Sequence, residues 1–219
     1  MKMLSPSSLL TCAIAFAGLV AAQAQSTPAF AIKKIEPSFV ESPQIQAPTY
    51  RKQSQGRSTP WLEVEITFDH DEKPLGKSDP KFSEDITINY YILLNNENEA
   101  PDRRRTLLTG TVTHADVPYG TKGLRSVVYV SPQTLTRYFN GKLPSNTLQA
   151  LVDVGASISD KGTVVAISSW KSKLTGDKGW WEDASTVTTV PNRVLNKNQT
   201  PFAHLSWDYH LPPKPGSDK

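Results

Sequence analysis

The sequence predicts an all-β fold, an immunoglobulin-like β-sandwich with one short connecting helix. Three observations predict it. Two runs alternate apolar and polar residues with period two; several more turn-bounded, β-branched segments follow them; and a single stretch carries helix start and stop signals. Strands apolar on one face must bury that face against a second sheet, so a sandwich follows, with a β-barrel as the alternative.

The first run is WLEVEITF from Trp61, where Leu62, Val64, Ile66 and Phe68 alternate with Glu63, Glu65 and Thr67. The second runs from Ile86 to Leu94 and stops at Asn95-Asn96, which reads as a central strand. Further strands are expected at Thr106 to Thr113, Leu124 to Val130, Leu148 to Val154 and Thr163 to Trp170, the last two joined as a hairpin by Ser159-Asp160-Lys161-Gly162. A closing strand is expected where Ala203, Leu205, Trp207 and Tyr209 alternate with polar residues, and less marked strands near Phe30 to Ile35 and near Val187. The helix begins at Ser131, a natural N-cap followed by Pro132, buries Leu135, Tyr138 and Phe139, and stops at Gly141. Glu41 to Pro60 and Asp69 to Asp85 read as long loops at the sandwich ends.

The N-terminus has the organisation of a secretory signal over residues 1–24. Lys2 precedes an apolar run through Ala22, and Ala22-Gln23-Ala24 is an A-x-A cleavage site, placing the cut between Ala24 and Gln25. The apolar run is shorter than the roughly 20 residues a membrane-crossing helix needs. The rest reads as one domain over 25–210 with a flexible, proline-rich tail at 211–219.

The only cysteine, Cys12, lies in the leader, so the exported chain has no disulfide or thiolate metal site and depends on core burial. Loss of the leader's one lysine lowers the net charge from +3 to +2, too near neutral for a nucleic-acid binder, and no later segment spans a membrane. Arg103-Arg104-Arg105 is the one concentrated basic run; it reads as a solvated loop or strand edge, or as a partner contact.

No motif of a nucleophile elbow, zinc protease, phosphate loop or dinucleotide site is present, so no catalytic residue, cofactor or metal site is assigned and the chain is read as a binding protein rather than an enzyme. Asp208 and His210, two apart on the expected closing strand, read as its polar face rather than as metal ligands. Asp69-His70-Asp71-Glu72 lacks calcium-loop spacing and reads as a solvated turn. Trp180 and Trp181 follow Gly176 and Gly179 in a loop; such a pair either offers rigid surface to a protein groove or a sugar, or folds back onto the sandwich.

The segments AFAIKKIEPSFVESP, WLEVEITF, INYYILL and TGDKGWWEDAS resemble the small immunoglobulin-like protein of the type IV pilus-like gene cluster of Akkermansia-type Verrucomicrobia. The resemblance implies a periplasmic or cell-surface location, a sandwich likened to archaeal pilus subunits, protein partners such as pilus-system components or host surface proteins, and a role in pilus assembly or host mucus contact. It implies no catalytic residues. Type IV pilins polymerise through a retained apolar N-terminal helix, whereas cleavage after Ala24 removes that run, so an accessory part fits better than a helix-polymerised subunit. The rival reading is a secreted carbohydrate-binding or carbohydrate-active protein with Trp180 and Trp181 as its sugar platform.

Overall fold

A computed structural model describes residues 29–43, 60–71, 81–100, 104–141, 149, 151–174, 178–183, 187–206 and 208–217. Two β-sheets pack face to face. One holds β1 (Phe30–Val40), β2 (Trp61–His70), β7 (Thr121–Val130) and β11 (Leu195–Asn196) in the order β1-β2-β7-β11. The other holds β4 (Ile86–Asn95), β5 (Arg105–His114), β8 (Leu151–Asp160), β9 (Thr163–Ser169) and β10 (Thr188–Val190) in the order β10-β5-β4-β8-β9. A small ribbon pairs β3 (Phe82–Ser83) with β6 (Val117–Pro118).

The alternation visible in sequence is the packing rule. In β2, Leu62, Val64, Ile66 and Phe68 are buried and lie opposite Val130, Val128, Ser126 and Leu124 of β7. Across the sandwich, Ile88, Tyr90 and Ile92 of β4 lie opposite Val112, Gly110 and Leu108 of β5 and Ile158, Ala156 and Val154 of β8. These two inward faces make one contiguous core. Tyr90 fits at its centre because its two cross-strand neighbours, Gly110 and Ala156, are the smallest residues in their rows.

Gly110 has a second role. A Cβ there would lie 2.3 Å from the carbonyl oxygen of Val194, so glycine lets the chain cross from β10 in one sheet to β11 in the other. The helix α1 (Pro132–Tyr138) starts as its residues dictate: Ser131 Oγ accepts from Thr134 N at 3.2 Å, Pro132 opens the first turn, and Leu135 and Tyr138 are buried.

Several boundaries and two assignments differ from the sequence expectation. β1 continues to Val40, and β8 begins at Leu151 and continues to Asp160. The expected closing strand near Ala203 to Tyr209 is a series of turns. Ala203 N bonds Thr200 O, Leu205 N bonds Phe202 O and Tyr209 N bonds Ser206 O, with Ser206 at φ 52. The alternation there does not correspond to burial, since Leu205 and Tyr209 are exposed; the buried residue is the preceding Phe202, which stacks on Tyr129 at 4.4 Å and edges onto Trp61 in a small cluster on the outer face of the four-stranded sheet. Asp208 and His210 consequently share no strand face; Asp208 is exposed while His210 is turned onto Glu65.

The tail expected to be loose from Leu211 is instead a strap through Ser217. Leu211 N donates to Arg125 O at 2.8 Å, Lys214 N donates to Thr113 O at 2.7 Å, and Pro213 bridges to His114. Prolines cannot donate, yet their carbonyls accept, and the Pro212 carbonyl does. The acidic cluster at 69–71 is no solvated turn either: Asp69 accepts from Gly123 N at 2.9 Å, and His70 is buried against Phe30, with ring centroids 4.1 Å apart. The leader, the cleavage pair Ala24 and Gln25, and Arg103 lie outside the described residues. Among the described residues no helix is long and apolar enough to cross a membrane.

Candidate functional site

Of the features singled out in sequence, Trp180 and Trp181 lie on the outer face of the five-stranded sheet, beside β8 and the end of β9. Asp153 of β8 is the anchor. It is buried, and its carboxylate accepts from Val154 N (2.7 Å) and Lys171 N (2.9 Å) on one oxygen and from Ser169 Oγ (2.8 Å), Ser172 N (3.1 Å) and Ser172 Oγ on the other. Burial works against its charge, but these donors together hold its pKa below the ordinary carboxylate value. They fix the chain leaving β9 at 169–172, and with it the loop that carries both tryptophans.

Trp180 then hangs from the same point, its indole Nε1 donating to Ser169 Oγ at 2.9 Å. Trp181 stacks on Tyr91 of β4 with ring centroids 4.3 Å apart and planes 8° apart. It occupies a slot that Gly155 leaves open, since a Cβ at Gly155 would lie 2.1 Å from Trp181 Cζ3, and Gly179 approaches the same indole as closely. The two indoles meet edge to face at 5.3 Å. Both indoles are half-buried against the outside of the sheet, so each is partly packed and partly open to contact. Gly155 inside a strand was the sequence signal for this close approach.

Arg104 and Arg105 are exposed at the start of β5. Arg105 lies on the same outer face as Tyr91, because Leu108 and Val112 take the alternate, inward positions. It pairs with Asn95, four residues along β4 from Tyr91, so the basic and aromatic groups stand about 13 Å apart along the strands and do not form one cluster.

β9 forms the margin of this surface, and among the described residues no strand pairs on its far side. Its sequence, TVVAISS, holds no charge and no proline. The other margins are blunted in the usual ways: β1 carries Lys33, Lys34, Glu36 and Pro37, while β10 and β11 are three and two residues long. The hairpin turn at Lys161-Gly162 has φ 47 and 83, a type I′ geometry closed by Asp160 and Thr163. The next pair, Ser159 and Val164, is then a non-bonded pair, so Val164 directs its N–H and C=O outward, with its side chain 55% exposed. A bulge at Val165 follows and separates this outward-facing start of the strand from Ala166 to Ser169.

A second polar constellation, unforeseen in sequence, lies inside the sandwich. Tyr90 OH donates to Ser126 Oγ at 2.7 Å across the two sheets, and His114 stands at 2.7 Å from the same Oγ and at 3.0 Å from Pro212 O. The carbonyl can only accept, so Nδ1 of His114 carries the proton and Nε2 accepts from Ser126. All three side chains are buried, which removes Ser126 and His114 from contact with any substrate. Burial lowers the His114 pKa to about 4 and drives the Tyr90 phenol well above its ordinary value.

A protein-family model matches the chain over residues 21–216. A crystal structure of a protein from Akkermansia muciniphila shares the fold, with a TM-score of 0.65 and 21% sequence identity over 84% of this chain and 92% of that one. No curated protein matches the chain in sequence.

Proposed function

Because the chain belongs to the family of immunoglobulin-like proteins of the type IV pilus-like gene cluster of Akkermansia-type Verrucomicrobia, we propose that it is an exported, non-enzymatic contact protein of such a system, acting in pilus assembly or host mucus contact. The leader at 1–24 would carry it to the periplasm or cell surface. The observation that carries the reading is the β9 margin. It is uncharged and proline-free in a molecule whose other sheet margins are blunted, and it is flanked by half-buried tryptophans of the kind that anchor protein interfaces. A partner's extended segment adding to β9 would gain main-chain hydrogen bonds at Val164 and apolar contact at Trp180.

The sugar-platform reading requires an open indole face. Trp181 spends one face on Tyr91 and is crowded by Gly155 and Gly179, which favours protein contact.

Fractionation of the native cell with mild crosslinking tests the proposal. A chain starting at Gln25 that crosslinks to pilus or secretin components supports it, provided that Val164→Lys abolishes the crosslink while circular dichroism stays native. A chain found alone, or one whose crosslinks survive the substitution, refutes the β9 assignment. Retention of the apolar leader in sheared filaments would instead make the protein a helix-polymerised subunit.

A further inference from the structure

The crossing from β10 to β11 leaves a cleft of about 340 Å³ against β5, small but within the range of small-molecule sites. Three segments give it polar side chains: Thr111 from β5; Asn192, Asn196 and Gln199 from the crossing; and Ser217 from the end of the strap. Gly110, Val194 and Leu195 complete the lining, so no charged side chain takes part. The backbone explains why the cleft is there. Asn192 turns the chain at φ 58, a left-handed conformation that asparagine tolerates, just ahead of the close approach of Val194 to Gly110.

Each polar group in the lining is held from behind and keeps part of its bonding capacity. Asn196 and Gln199 clasp each other across a single 3-10 turn, Lys197–Gln199: Asn196 Oδ1 accepts from Gln199 N at 3.3 Å and Gln199 Oε1 accepts from Asn196 N at 3.0 Å. The Gln199 amide thus spends its oxygen on the protein and keeps its N–H donors. Thr111 Oγ1 donates to Asn89 Oδ1 at 2.9 Å, and Ser217 Oγ donates to Lys214 O at 2.7 Å. These two hydroxyls spend their protons and keep lone pairs. Asn192, exposed and with no hydrogen bond from its side chain among the described residues, keeps both kinds.

We propose that this cleft binds a neutral saccharide, with one sugar ring between Thr111, Asn192 and Gln199 and the next running over Thr111 towards Asn89. An anion would find no cation in the lining and a cation would find no carboxylate. An apolar group would strip water from these amides and hydroxyls and return no hydrogen bond. A sugar ring answers both demands. Each of its hydroxyls donates and accepts, so neighbouring hydroxyls meet the Gln199 donor and the Thr111 acceptor together, while its C–H face has half-buried Leu195 to rest on. Beyond Thr111 the same chemistry continues on the outward positions of β4 and β5. Thr87, Asn89, Thr109 and Thr113 are all uncharged, and Asn89 Nδ2 donates onward to Ser157 Oγ at 3.3 Å. The site uses neither indole. β4 and β8 separate β5 from β9, so the cleft does not depend on the protein-contact reading of the β9 margin.

The test probes the purified protein on an array of neutral, acidic and amino-sugar glycans, then titrates a bound neutral glycan by calorimetry. Binding to neutral glycans is the expected result. Thr111→Val keeps the branched shape that suits a strand but lacks the oxygen, and Asn192→Gly keeps the left-handed backbone but lacks the amide. Each should weaken binding on the order of tenfold, with circular dichroism and melting unchanged. Trp181→Ala and Val164→Lys should leave the glycan affinity where it was. An array with no bound glycan, binding confined to acidic or amino sugars, or parent affinity in both Thr111→Val and Asn192→Gly would each overturn the proposal. So would loss of glycan binding in a natively folded Trp181→Ala or Val164→Lys, which would move the sugar contact to the indoles or to β9.

Discussion

At the scale of single residues, the interior turns on one hydroxyl. Ser126 Oγ both accepts from Tyr90 and donates to His114, so Ser126→Ala strands two buried polar atoms, whereas Tyr90→Phe removes one donor and leaves the serine–histidine bond in place. Each unsatisfied buried group costs roughly 1–3 kcal/mol. Ser126→Ala should therefore lower unfolding free energy by about 2–4 kcal/mol and Tyr90→Phe by about 1 kcal/mol, as read by urea denaturation at neutral pH. Equal effects would mean that the relay is not a chain. Asp153 makes a second residue-scale case. Its lowered pKa means its contribution is complete above about pH 4 and lost as pH falls through the lower, folded value. Asp153→Asn puts an amide against backbone and hydroxyl donors and should cost on the order of 3 kcal/mol at neutral pH. The melting temperature of the variant should also decline less below pH 4 than that of the parent.

At the scale of elements, legibility followed locality. The helix at 132–138 was readable because its cap, its proline and its apolar face are all within eight residues. The hairpin from β8 to β9 was readable for the same reason, and its turn can be improved: Lys161 sits at φ 47, a left-handed conformation that asparagine tolerates better than lysine. Lys161→Asn should raise stability by about 0.5 kcal/mol in thermal melts; a loss would mean that the lysine has a contact beyond the turn. The stretch 203–209 misled because its apolar–polar alternation is not matched by alternating burial: Leu205 and Tyr209 are exposed, and a short alternating run does not say whether a sheet margin is available to pair with. Here Phe202 found Tyr129 from a turn rather than from a strand. The proline-rich strap misled in the opposite direction. Its composition matches disorder, but its hold comes from partners 86 or more positions earlier in the chain, Arg125 and His114 among them, that composition cannot represent.

At the scale of the molecule, the sandwich closes through a few contacts that permit almost no substitution. Gly110→Ala would drive a methyl into the Val194 carbonyl, a backbone atom that cannot swing aside, and so obstruct the crossing between sheets. It should cost several times the ~1 kcal/mol of an ordinary surface change, or prevent folding, whereas Gly155→Ala should displace Trp181 and leave the sandwich standing. Tryptophan fluorescence alongside denaturation separates the two: a shift in emission with little loss of stability is expected for Gly155→Ala alone. The sequence by itself determined the fold class, the central strands and the helix, because period-two burial and capping are properties of neighbouring residues. It also singled out Trp180 and Trp181 as a functional candidate. Only the tertiary structure decided that Trp181 covers Tyr91 and Gly155, that β9 is the unblunted margin, and that the tail is a strap bonded to Arg125, Thr113 and His114. Each of those depends on which strand lies beside which, and pairing between distant segments is set by the whole core's burial rather than by any local pattern.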